Sequence, residues 1–519
     1  MNYGLRGVAL CCGLLLCLDG VVAAERWLHG AVRVDADGDG RADRRSGVAG
    51  VKLSNGRDVV LTDARGRYRI ALRDDDTLFL IKPPGWAPVL RDDGLPDTWQ
   101  HERRQASKGL RYGGLPKARA AGDFLLRPAV EQGASFEVLL FGDPQPKRRE
   151  HVEYFRRDIV EPLHGGRWRL GISLGDIVDD DLSLFPSMLQ TMAQLRTPWL
   201  HVAGNHDIDF DAGSDRASLD TYRRYFGADT FAWEEPGVSF IGLDNVIYDP
   251  ATGRYSGGLR ADQFDFLAAY LDTLPDTQRV VLAMHIPLFR GFAPADRQRL
   301  FDLLVRFREP LVLSAHSHVQ QHVYHAAEQG WQGERPLHEY NVGAACGGFW
   351  GGPVDASGIP DARMADGTPN GYATLRFDET GSYSLRWHVA RDAEDPAMHL
   401  HAPKLLRRGA WPGVPVVANV YMADSDSRVE IRIGGGAWQP MRRVDAPDPL
   451  LVAENLRDDA SPLLRGFDRM VQAVDSTHLY RFNLPTDLAQ GEHRIEVRYQ
   501  DRWRGELRAS TTYRLVDLP

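Results

Sequence analysis

The sequence is poor in cysteine: four among 519 residues, and three of them (Cys11, Cys12 and Cys17) lie in the first seventeen positions. A small disulfide scaffold is therefore excluded. Past the N-terminus no apolar run reaches the roughly 18–20 residues that a membrane-crossing helix needs. There is no extended basic block, and the net charge is −9. A nucleic-acid duplex is thus a poor partner, because its phosphates call for clustered Lys and Arg. No internal repeat or long low-complexity stretch is present. What remains is a globular balance, 43% hydrophobic and 26% charged. At about 150 residues per domain, the length suggests about three or four domains.

The first residues read as a secretory signal. Arg6 precedes the apolar stretch Val8–Leu18, and Val22-Ala23-Ala24 places small residues before a cut at Glu25. Cleavage would leave Cys346 as the lone cysteine, so no internal disulfide is expected. Leu10 before Cys11 and Leu16 before Cys17 do not suit a lipidation site. The expected location is periplasmic or secreted.

Three parts follow. Residues 25–130 hold short alternating segments such as Val51-Lys52-Leu53 and Tyr68-Arg69-Ile70. They are punctuated by Ser54-Asn55-Gly56 and Asp63-Ala64-Arg65-Gly66, and predict a small β-sandwich. Residues 131–390 alternate apolar strands with helical stretches and predict an α/β domain. Residues 391–519 return to period-two alternation, as in Val429–Ile433 and Ile495–Tyr499, and predict a second sandwich.

The chemistry concentrates in the middle part. Five apolar runs each end in side chains that can bind a metal. Phe136–Phe141 leads to Asp143 and Gln145. Leu170–Leu174 leads to Asp176 and Asp179. Trp199–Ala203 leads to Asn205, His206 and Asp207. Val280–Met284 leads to His285. Leu311–Ser314 leads to His316 and His318. Sites in open α/β sheets form beyond the carboxyl ends of strands, so distant segments can converge there. One Gly-Asp or one His means little alone; five such strand ends in order are the signal.

This ordered set resembles the calcineurin-like metallophosphoesterase superfamily, in an Asp-Pro-Gln variant of its first motif. The flanking parts, with the loops Gly343–Trp350 and Asp366–Tyr372, are similar to the β domains of an exported bacterial branch. The resemblance implies a central sandwich-like domain of β sheets flanked by helices, with small β-sandwich domains at both ends. It implies a phosphate-ester hydrolase with two divalent ions. Asp143, Gln145, Asp176 and His318 would hold one; Asp176, Asn205, His285 and His316 would hold the other. His206 would be the general acid and Asp179 its orienting carboxylate. Asp207 is read as structural.

Mixed N and O ligands without thiolate suit Mn, Fe, Zn or Co. Gln145, where many relatives carry His, is a neutral and weaker ligand that shifts preference toward Mn or Mg. Ala315 replaces a glycine before His316 without removing a ligand. Asp180 stands where eukaryotic-type protein phosphatases have a phosphate-gripping Arg, so the phosphate clamp is unassigned.

Other features carry two readings. Asp35–Asp43 resembles a calcium loop but has Ser46 at the twelfth position, so it is either a structural Ca site or a solvated acidic turn. Gly347–Gly352 is expected to be a mobile loop in which Trp350 either stacks on a sugar or base or packs internally. Tyr248, Arg254 and Tyr255 fall where substrate loops form. Trp438 and Trp503 either face a carbohydrate or fill a core. The expected partner is a small phosphate ester, or an envelope glycan or nucleotide. Monoester and diester chemistry both stand, as does a non-catalytic binding protein with a structural metal.

Overall fold

The computed structural model describes residues 25–43, 46–129, 133, 135–392, 394–411 and 413–517. The signal-like segment, residues 1–24, lies outside the described residues. Among the described residues, no helix is long and apolar enough to cross a membrane.

All five apolar runs are strands: Phe136–Phe141, Leu170–Leu174, Trp199–Val202, Arg279–Ala283 and Leu311–Ser314. They are almost wholly buried, which is why they read as continuous apolar runs rather than alternating ones. They divide between two sheets. In the first, Phe136–Phe141, Leu170–Leu174 and Trp199–Val202 run parallel. Gly371–Phe377 and Tyr383–Val389 complete that sheet in antiparallel register. The second has six strands, from Thr230–Glu235 to Gln321–His325. Its centre is the parallel set Val238–Leu243, Arg279–Ala283, Leu311–Ser314 and Leu337–Asn341.

Leu139, Phe141 and Ile172 of the first sheet share one core with Phe240, Val281 and Leu313 of the second. The two sheets therefore form a sandwich. Helices Ala261–Leu271 and Pro294–Leu304 cover the outer face of the second sheet through Phe264, Leu267, Leu300 and Phe301. Helices Arg149–Phe155 and Phe185–Met192 pack Phe155, Phe185 and Met188 into the first core.

The N-terminal part is a sandwich of two four-stranded sheets around Val32, Leu53, Ile70 and Leu80. The C-terminal part is another, with sheets of four and five strands around Val416, Ile431, Val497 and Leu515. A mixed α/β domain flanked by smaller β-rich domains is thus the architecture. The N-terminal part is fixed to the centre by charge as well as packing. Lys82 and Glu235 form a buried pair, and Arg169 meets the second oxygen of Glu235. Arg223 in turn binds Asp75.

Candidate metal centre

The five strand ends meet in one crevice. Asp143 and Asp176 are buried there with Asn205 and His285. His285 Nδ1 donates to Leu174 O at 2.8 Å, which turns Nε2 inward. Within 3.3 Å of that Nε2 lie Asn205 Oδ1 at 3.0 Å, His316 Nδ1 at 3.1 Å and Asp176 Oδ2 at 3.3 Å. His318 is fixed in the same manner: its Nδ1 donates to Gly347 O at 2.8 Å, and its Nε2 lies 3.6 Å from Asp143 Oδ1. Backbone carbonyls that set the tautomer of an inward imidazole are the usual outer layer of a metal site. Asn245, which no sequence motif singles out, accepts from the backbone of His285 and Ile286 and holds that turn.

Local backbone is strained here. Thirteen described non-glycine residues have left-handed φ, and eight sit at this crevice: Asp143, Gln145, Asp176, Asp180, His316, His318, Phe349 and Trp350. Such conformations cost of order 1–3 kcal/mol each and cluster at functional sites. Close approach also demands glycine at two points. A Cβ on Gly175 would lie 2.4 Å from His285 Nδ1, and one on Gly204 would lie 2.2 Å from Asp176 Oδ1.

The electrostatics call for positive charge. Burial disfavours an ionised Asp143 and raises its pKa. Burial works against a charged His285, yet Asp176 beside it pushes it up to about 9. Burial and the positive charge on His285 push His316 down to about 3. A cluster of inward lone pairs and carboxylates that seeks a cation fits a divalent metal, and Asp176, His285 and His316 present donor atoms within 4.8 Å of one another.

His206 lies on the open side. Its Nδ1 makes a 2.7 Å hydrogen bond to Asp180 Oδ1. The expected partner, Asp179, is further away, at 3.4 Å. Three consecutive aspartates turn through a left-handed Asp180, and that turn, rather than sequence position, selects the contact. Asp179 instead accepts from Gln145 Nε2 at 3.1 Å and pairs with Lys147 at 3.5 Å. Burial would lower the pKa of His206, but the Asp180 hydrogen bond and nearby carboxylates raise it to about 9. Gln145 has its Oε1 3.9 Å from Cys346 Sγ.

Asp207 accepts from the backbone of Gly204, Ile177 and Val178, the structural role expected of it. Trp350 is 2% exposed and donates to Pro144 O, so it packs; Phe349 faces the crevice instead. The Gly347–Gly352 loop is pinned by these bonds and by Gly352 N to Asp468 O, against the expected mobility. Tyr248 is buried, with its hydroxyl on Phe210 O. Trp438 lies among Arg432, Arg498 and Arg508. Trp503 packs beside His338.

At the acidic loop, Asp35, Asp37 and Asp39 converge. Asp35 is already bound by Arg127 and by the amides of Gly38 and Gly40. Ser46 Oγ donates to Asp43 O and Val34 O, so its hydrogen bonds lie with the backbone.

Residues 136–320 match the calcineurin-like phosphoesterase family, and residues 36–111 and 339–506 match the families described as the N terminal and the C terminal of calcineurin-like phosphoesterase. The chain belongs to the calcineurin-like phosphoesterase superfamily. The chain is 27% identical over 186 residues to Cell division control protein 1 of Saccharomyces cerevisiae. That match covers 31% of this chain and about a third (37%) of the yeast protein's length. Among solved structures it is similar to the purple acid phosphatase PPD1 from yellow lupin, at 12% identity and TM-score 0.37, over 66% of this chain and 67% of that one. It is also similar to Vps29 of Chaetomium thermophilum, at 12% identity and TM-score 0.19, over 49% and 97%.

Proposed function

We propose that this chain hydrolyses phosphate esters with two divalent cations held at the crevice. Asp143, Gln145, Asp176 and His318 would hold one, and Asp176, Asn205, His285 and His316 the other. The observation that carries this reading is the convergence of Asn205 Oδ1, His316 Nδ1 and Asp176 Oδ2 on His285 Nε2. Such a pair of ions, when bound, polarises phosphoryl oxygens and makes water a nucleophile at neutral pH.

The chain's own groups do the rest. His206 stands at the open edge, its pKa raised against burial to about 9 by the Asp180 hydrogen bond and nearby carboxylates, placed to give a proton to the leaving oxygen. Asp180 fixes its ring through Nδ1, leaving Nε2 as the acid. Asp179 holds Gln145 and Lys147 in place. Asp176 Oδ1 accepts from the backbone of His206 at 2.9 Å, coupling the acid to the metal cradle. The same proposal includes export: the chain is cut before Glu25 and works in the periplasm or outside the cell, which N-terminal sequencing of the mature protein tests.

His206→Ala is the direct test. Metal content should stay near that of the parent, while turnover of an alkyl phosphate ester falls about 10²–10⁴-fold. A smaller loss is expected on p-nitrophenyl esters, whose leaving group needs little protonation. Equal rates on the alkyl ester would remove His206 from the mechanism. A non-catalytic envelope-binding protein with a structural metal would show no turnover on any ester.

A further inference from the structure

The crevice has walls that the metal motifs do not explain. Phe349 lies against the candidate ligand His318, ring centroids 4.7 Å apart. Tyr255 lies edge-on to His316 at 6.2 Å and is 39% exposed. His316 and His318 belong to the two different ion positions, so one aromatic ring flanks each. Lys147 sits 4.8 Å over the Phe349 ring and 3.5 Å from Asp179.

The placement of Phe349 is costly to the fold. It and Trp350 are consecutive residues at φ 60° and 56°, a conformation that side chains with a Cβ rarely adopt. The strain is held by buried anchors on both sides. Trp350 Nε1 donates to Pro144 O, Cys346 N to Asp143 O, and Gly352 N to Asp468 O of the C-terminal domain. An apolar ring held in a strained loop, half-exposed over a metal-ligand histidine, is placed for contact rather than for core packing.

The charge at the rim narrows what it contacts. Asp179 and Asp180 crowd the side where His206 stands, and Lys147 is partly neutralised by Asp179. A phosphomonoester brings close to two negative charges at neutral pH; a phosphodiester brings one and has two organic arms. An acidic rim with one shared lysine and two flanking aromatic surfaces suits the second.

We propose that Phe349, Tyr255 and Lys147 form a recognition wall that selects phosphodiesters with flat or apolar arms. Lys147 meets a phosphoryl oxygen, and the two rings each take one arm. This rests on the phosphoesterase reading above.

The test uses the full chain loaded with Mn²⁺. Substrates are bis(p-nitrophenyl) phosphate and p-nitrophenyl phosphate, and calorimetry measures diphenyl phosphate binding. Phe349→Gly removes the ring and accepts positive φ without strain, so its melting temperature should equal or exceed the parent's. Its diester-to-monoester ratio of kcat/KM should fall at least about fivefold, carried in KM, and diphenyl phosphate should bind at least about fivefold more weakly. Tyr255→Ala should move both readouts in the same direction. Ratios and affinities within about twofold of the parent in both variants would overturn the wall while leaving the phosphoesterase reading intact. A parent chain that hydrolyses neither ester would overturn that reading, and the diphenyl phosphate titration would still decide the wall.

Discussion

His206 Nδ1 lies 2.7 Å from Asp180 Oδ1 and 3.4 Å from Asp179 Oδ1. The nearer carboxylate is the more exposed of the two, and it governs the ring. Asp180→Asn should therefore lower kcat on an alkyl phosphate ester by roughly tenfold, with a smaller loss from Asp179→Asn. The pH profile gives the sign. His206 is held up to about 9 by carboxylates, so it loses its proton, and its use as an acid, as pH rises through that value. Removing the Asp180 charge lowers that pKa and moves the alkaline limb of kcat to lower pH. A pH–rate profile of both variants checks the order.

Asp176 is the residue common to both proposed ion positions, and His285 belongs to one. Asp176→Ala should lower bound divalent metal from two equivalents per chain toward none. His285→Ala should remove about one, because the Asp143–His318 side keeps its own donors. Elemental analysis after dialysis reads both.

His201 is buried with neither ring nitrogen bonded, against the ring of Phe226. Burial pushes its pKa down to about 3, and His101 is likewise held near 3. These rings stay neutral when folded and gain a proton when unfolded below about 6.5. Their contribution is full above that pH and is lost as pH falls from about 6.5 toward 3. His201→Leu should relieve one such site. Its gain in unfolding free energy over the parent should be about 2 kcal/mol larger at pH 5 than at pH 8, by urea denaturation.

Trp350 is fully packed and tied to Pro144, between Asp143 and Gln145. Trp350→Ala should cost about 3–5 kcal/mol. Trp350→Phe keeps most of the volume and loses the hydrogen bond, for about 1 kcal/mol. Chemical denaturation separates the two.

Much of the site was legible because each ligand follows a buried strand, and a buried strand announces itself as an apolar run. Asp143, Asp176, Asn205, His285, His316 and His318 all come to one crevice for that reason. Asp180 was not, because three adjacent aspartates look alike until a left-handed turn aims one of them. Of the two readings for Trp350, internal packing holds, and Phe349 beside it faces the crevice; only backbone conformation tells which ring is inward. The reach of the flanking domains was also invisible. Tyr112 of the N-terminal part donates to Asp180 O, and the C-terminal His478 meets Asp366, which accepts from Gln320 beside the His318 turn. These contacts join segments far apart in the chain, and no local pattern marks them.

The central claim is that this crevice cleaves phosphate esters through a pair of divalent ions. Metal content and turnover measured on the same sample test it most directly. Stripping with a chelator should abolish hydrolysis of bis(p-nitrophenyl) phosphate, and activity should return with Mn²⁺ in proportion to occupancy, up to two equivalents per chain. Full turnover by the stripped chain, or none by a chain carrying both equivalents, would contradict it.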